Sequence, residues 1–155
     1  MTSDLGTKSI TYNDRDTRVF NYGGSWFQDG NYSSTQFANE TGTLTSTNDP
    51  FANVTFTFPM PAIAFHYYGV PRSGGALYGI CIDCEPNNMR FQDVDALDTL
   101  GNGLGPSVAL FSKVFDTPEK HVIILRNQND TRIVPKGNSQ MTIDRFVLDV
   151  YRCGG

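Results

Sequence analysis

Between Ile10 and Trp26 the chain reads ITYNDRDTRVFNYGGSW: two strand-like runs enclose Asp14, Arg15 and Asp16, and a Tyr-Gly-Gly turn and the only tryptophan follow. Charges set between apolar strands have to be paired, because an ion taken out of water alone is costly. The triplet therefore demands a polar partner from another part of the fold. The last strand-like run, MTIDRFVLDVY, supplies a candidate, since Asp144 shares the inward face of Phe146, Leu148 and Val150. Arg15 and the backbone amides of the first strand are the expected partners of Asp144, a structural link between the two ends of the domain. A structural calcium ion is the alternative, as hard cations take carboxylate and carbonyl oxygens.

Helical periodicity is scarce in the remainder. Strand-like runs recur at 9–12, 18–22, 53–58, 62–68, 76–83, 108–115, 121–126 and 141–151, separated by turn clusters at 21–25, 71–75, 85–88, 101–106 and 136–139. The one helix-like window, FQDVDALDTL, is short enough to be a single turn or a loop. The polar stretch 28–50 reads as loop with a short strand near 41–46. This spacing predicts an all-β fold, two packed antiparallel sheets, in a single domain over 1–155 with its core at 9–151. Phe56, Phe58, Ile63, Phe65, Ile80, Ile124, Phe146 and Leu148 are the expected core.

The composition agrees, with 15 Gly and 8 Pro for turns, 11 Phe and 7 Tyr for strands, and only 18% charged residues. A net charge of -4 argues against nucleic acid, which requires a basic face. No apolar run approaches the roughly 20 residues of a membrane-inserted helix, and MTSDLGTKS has no apolar signal core. Four glycosylation sequons occur, at Asn31, Asn39, Asn53 and Asn129, an excess over chance that favours a secreted or extracellular protein. In ANVTFTFP, Asn53 shares the polar strand face with Thr55 and Thr57, so a glycan there points into solvent.

Three cysteines suit an oxidising compartment but leave one over. In a straight strand Cys81 and Cys84 stand about 10 Å apart, beyond disulfide reach. The turn-like DCEPNN brings them together, which favours Cys81–Cys84 with Cys153 free or linked to another chain. The rival is Cys153 paired with either. One CxxC without a second offers too few ligands for zinc, and no cofactor motif is present.

The opening ITYNDRDTRVFNYGGSW resembles the start of extracellular domains common in mushroom-forming fungi. ANVTFTFPMPAIAFHYYGV, ALYGICIDCEP, EKHVIILRN and MTIDRFVLDVY resemble later strands of the same family, in order. The resemblance covers roughly 9–151 and implies a jelly-roll sandwich similar to galactose-binding-like domains, a fold widespread among carbohydrate-binding modules. One departure is Cys84, where the pattern usually has glycine after the aspartate. Another is the membrane helix into which many relatives continue, which has no counterpart here.

Catalytic signatures are sparse. His66 and His121 read as packed or rim histidines, and no Gly-x-Ser-x-Gly elbow or Cys-His signature is present. Asp93, Asp95 and Asp98 read as solvated loop charges rather than a glycosidase pair. Sugar recognition needs an aromatic face for the apolar side of a pyranose, with polar groups for its hydroxyls. Trp26 and Tyr32, beside Gln28, Asp29 and Asn31, form one candidate ligand-binding group; Tyr68 and Arg72 form a second. The sequence thus favours a non-catalytic, lectin-like domain whose partners are glycans or cell-wall polysaccharide. A surface scaffold or adhesion domain, and a glycan-active hydrolase, are the alternatives.

Overall fold

The computed structural model describes residues 6–31, 43–73, 75–100, 107–128, 130–132 and 139–152. Among them are twelve strands and no helix: β1 (Thr7–Asn13), β2 (Phe20–Gly23), β3 (Phe27–Asn31), β4 (Thr43–Thr47), β5 (Asn53–Thr57), β6 (Ala62–Gly69), β7 (Leu77–Ile82), β8 (Gln92–Asp95), β9 (Val108–Glu119), β10 (Val122–Gln128), β11 (Met141–Ile143) and β12 (Arg145–Tyr151). Every ladder between them is antiparallel. One sheet has the order β1-β12-β6-β9, and the facing sheet β2-β5-β10-β7-β8. The chain passes directly between these two sheets five times, at β1–β2, β5–β6, β6–β7, β8–β9 and β9–β10, as in a jelly-roll sandwich. A smaller sheet, β11-β4-β3, adds to the expected pair. It joins the sandwich at the end of β6, where Thr142 binds both backbone polar groups of Val70 and accepts from the Tyr67 hydroxyl at 2.5 Å.

Alternation along the strands builds the core. Phe56 on β5, Phe65 on β6 and Phe146 on β12 are fully buried and Phe20 on β2 nearly so. Phe146 meets the rings of Phe20, Phe56 and Phe65 at centroid distances of 4.8, 4.9 and 5.0 Å, all edge-on. This is the favoured quadrupole geometry, and it ties four strands of both sheets to one side chain.

Several expectations need correction. Ile123 and Leu125 are fully buried, so period-two alternation turns Ile124 outward rather than into the core. Ile63 is only half-buried, at a register shift between Ala62 and Ala64 against β9. The window FQDVDALDTL contains a strand, β8, with Val94 and the following Ala96 buried at strand spacing. The predicted last strand is two, broken at Asp144, whose amide donates to Tyr68 O at 2.9 Å. Strand β3 was not expected at all.

Asp144 is fully buried, but its carboxylate is met by the adjacent Arg145 and by the Ser107 hydroxyl at 2.7 Å, not by Arg15. Arg15 instead stands 3.7 Å from Asp14, itself buried and accepting from the Thr45 hydroxyl at 2.6 Å. The two ends of the domain do meet, through the backbone: the Asp14 amide donates to Asp144 O at 3.2 Å.

Candidate functional site

The outer face of the five-stranded sheet carries a groove of about 550 Å³. Register explains its lining. Asn53 and Thr55 on β5 point outward, and their neighbour β10 presents Ile124 and Arg126 on the same side. Next to Arg126 on β7 stands Gly79. A Cβ there would sit 3.0 Å from the Gln128 side chain and 3.1 Å from Cβ of Phe91. The glycine thus opens the space that Phe91 and Gln128 occupy over the strand. The Arg126 guanidinium lies over the Phe91 ring, 3.7 Å from its centroid, a cation–π contact that fixes both groups at the surface. Gln128 donates to Asp93 at 3.1 Å.

One wall is the turn NDPFAN. Asp49 accepts the amide of Phe51 at 2.9 Å and that of Ser25 at 3.1 Å, and these donors hold its carboxyl below the usual carboxylate range. Buried Asn127 donates to Asp49 O and Ser139 O, both at 3.1 Å. The turn is therefore rigid, yet its Phe51 side chain is 86% exposed. A large apolar ring held open to water on a pinned turn gains nothing for folding. Together with Met89, 47% exposed, it gives the groove apolar surface beside amides and a guanidinium.

Of the described site residues expected from sequence, Asn53 is exposed and lines the groove, while Trp26, Tyr68 and Arg72 do not. Trp26 is half-buried, packs edge-on against Tyr22 at 4.8 Å, and donates its indole N–H to Gly23 O at 2.8 Å. Tyr68 carries the Arg145 guanidinium over its ring at 3.9 Å. Half-buried Arg72 bonds through its backbone to Ala96 and Asp98, beyond β8, and burial lowers its pKa. The structure does not gather these three into one site. Tyr32, Asn39 and Asn129, and the side chain of Asn31, lie outside what is described, as does Cys153. Cys81 and Cys84 are joined, Cα to Cα 5.9 Å, across a turn in which Asp83 takes a φ of 54°. Phe51, Phe91, Arg126 and Gln128 escaped the sequence reading. The turn itself had a signal, since an aspartate two residues before Phe51 can accept its amide in an Asx turn; the outward direction of the ring had none.

A second constellation crosses the open face of the other sheet. His66 Nδ1 lies 2.8 Å from Ser112 Oγ, and its Nε2 lies 2.8 Å from Asp149 Oδ2. Ser9 in turn donates to Asp149 at 2.6 Å. Serine, histidine and aspartate stand in the order that acyl transfer uses. They stand, however, on paired strands, where amides alternate in direction and do not converge as an oxyanion site requires. None of these residues lines the groove. Near β8, Asp95 is engaged by Arg132 at 2.7 and 2.9 Å, so it is not half of an open carboxylate pair. Among the described residues no three His, Cys, Asp or Glu side chains gather as a metal site, and no helix is long and apolar enough to cross a membrane.

No family model matches this chain, and no curated protein does either. Solved structures do. A xanthan lyase from Paenibacillus aligns over 93% of this chain and 13% of its own, with a TM-score of 0.56 and 13% identity. A family two carbohydrate esterase from Cellvibrio japonicus aligns over 94% of this chain and 34% of its own, at a TM-score of 0.52 and 13% identity. An exo-β-1,3-galactanase from Phanerochaete chrysosporium, solved with galactose, covers 91% of this chain and 29% of its own, at 0.52 and 11%. The chain thus spans between 13% and 34% of the length of each. At such identities the likeness establishes the fold: a β-sandwich that also occurs within carbohydrate-active proteins.

Proposed function

We propose that this domain is a secreted, non-catalytic glycan-binding module and that its site is the groove on the five-stranded sheet. The observation that carries the reading is Phe51, held open to solvent on a pinned turn beside Arg126, Asn53 and Gln128. Such a set offers an apolar face to the C–H side of a sugar ring and hydrogen-bonding groups to its hydroxyls. An open groove of this kind suits a chain of sugars better than a small enclosed ligand. The carbohydrate-active proteins that share the fold support a glycan partner. The excess of sequons supports secretion.

The test is binding of the 155-residue protein to fungal, plant and bacterial wall polysaccharides, by pull-down and calorimetry. Phe51→Ala and Arg126→Ala should each weaken binding about tenfold, close to 1.4 kcal/mol, while Trp26→Ala should lower thermal stability. Retention of no polysaccharide by the unglycosylated wild type removes the proposal. A hydrolase is the second reading, and the Ser112–His66–Asp149 alignment is the observation in its favour. Release of acyl groups from the same polysaccharides, abolished by Ser112→Ala, would establish it instead.

A further inference from the structure

Asn53, the acceptor of the sequon Asn53-Val-Thr55, is part of the groove wall. Its side chain is exposed and leans toward β2: a Cβ on Gly23 would meet Asn53 Oδ1 at 2.8 Å and Nδ2 at 3.6 Å. On its other side Asn53 is paired in register with Arg126, one strand spacing or about 4.8 Å away. Phe51 is two residues upstream, on the turn that leads into β5. A group attached to Asn53 Nδ2 therefore rises at the rim of the groove, on its β2 side.

We infer that N-glycosylation of Asn53 closes this groove to polysaccharide, so that occupancy of one sequon sets whether the domain binds. The inference rests on the groove being the binding site. In the modification, Asn53 Nδ2 attacks C1 of a lipid-diphosphate-linked oligosaccharide. A C–N bond forms, the C1–O bond to the diphosphate breaks, and the amide gives up one proton as the lipid diphosphate leaves. The transferred oligosaccharide is branched, hydrated and larger than a side chain. Anchored at the rim, it excludes a polymer that must lie across Phe51 and Arg126. It also offers its own sugars to those groups at high effective concentration. Both effects act in the same direction.

A variant carrying Asn31→Gln, Asn39→Gln and Asn129→Gln leaves Asn53 the only acceptor. It is made in two forms, one secreted by a glycosylating eukaryotic host and one from an oxidising bacterial compartment. Peptide mass spectrometry should find the glycan on Asn53 in the first form only. Binding to the polysaccharide retained by the wild type should be at least tenfold weaker for the glycosylated form, and trimming with an endoglycosidase should recover part of it. A secreted form with Asn53 unmodified overturns the inference. So does equal binding of the two forms with the glycan present, and that result leaves the groove itself intact as a site. If the unglycosylated form binds nothing, the groove reading falls and the inference falls with it.

Discussion

Arg145 shows how much one side chain can hold in this fold. It is 5% exposed, pairs with fully buried Asp144, donates to Ser107 at 3.1 Å and covers the ring of Tyr68. Removing one partner of a buried pair strands the other charge, which costs about 3–5 kcal/mol. Arg145→Met should therefore lower the unfolding free energy by about that amount, measured by urea titration. The double variant with Asp144→Asn should recover part of the loss, because no lone charge is left behind. Arg15→Ala should cost under about 1 kcal/mol, since Arg15 is 43% exposed and only 3.7 Å from its partner Asp14. Equal losses for Arg145→Met and Arg15→Ala would contradict this assignment. The sequence showed that Asp144 needed a partner. It could not show that the strand breaks at Asp144, which is what turns the next residue inward as well.

At the scale of elements, Arg132 clamps the segment after β10 onto β8. Its guanidinium binds Asp130 at 2.8 Å through two nitrogens and Asp95 at 2.7 and 2.9 Å. Asp130 is fully buried and also accepts the Ala76 amide at 3.0 Å, so most of the energy lies in that half of the clamp. The Asp95 half is exposed and screened. Asp130→Asn should cost about 2–4 kcal/mol and Asp95→Asn less than about 1 kcal/mol. Chemical denaturation of the two variants compares them directly, and the reverse ranking would show that the buried half is not dominant. An element with strict alternation, such as β5, was legible from sequence because one face is apolar throughout. Strand β8 was not, since QDVD buries a single side chain and its neighbours are held by Arg132 and Gln128 from other segments.

For the molecule as a whole, acid is the condition that should matter most. Hydrogen bonds from Arg132 hold the Asp130 carboxyl well below the usual range and that of Asp95 below it. Arg18 does the same for Asp16, and backbone amides for Asp49. A carboxyl whose folded pKa is depressed adds stability that is fully present above its unfolded value, about 3.9, and is lost as pH falls toward the folded value. The melting temperature should therefore fall steadily below about pH 4, and Asp130→Asn should flatten that fall. A melting temperature that rises between pH 5 and pH 3 would contradict the linkage.

The sequence by itself determined the all-β class, the central phenylalanines, the short CxxC turn and the outward face of Asn53. Each of these follows from local periodicity or turn chemistry, which a chain carries without reference to distant residues. The tertiary structure alone decided the partner of Asp144, the third small sheet and the location of the groove. These depend on which strands become neighbours. Phe51, Asn53, Phe91 and Arg126 span 76 positions of the chain, and only the β5-β10-β7 order, with a glycine on β7 making room, sets them around one cavity.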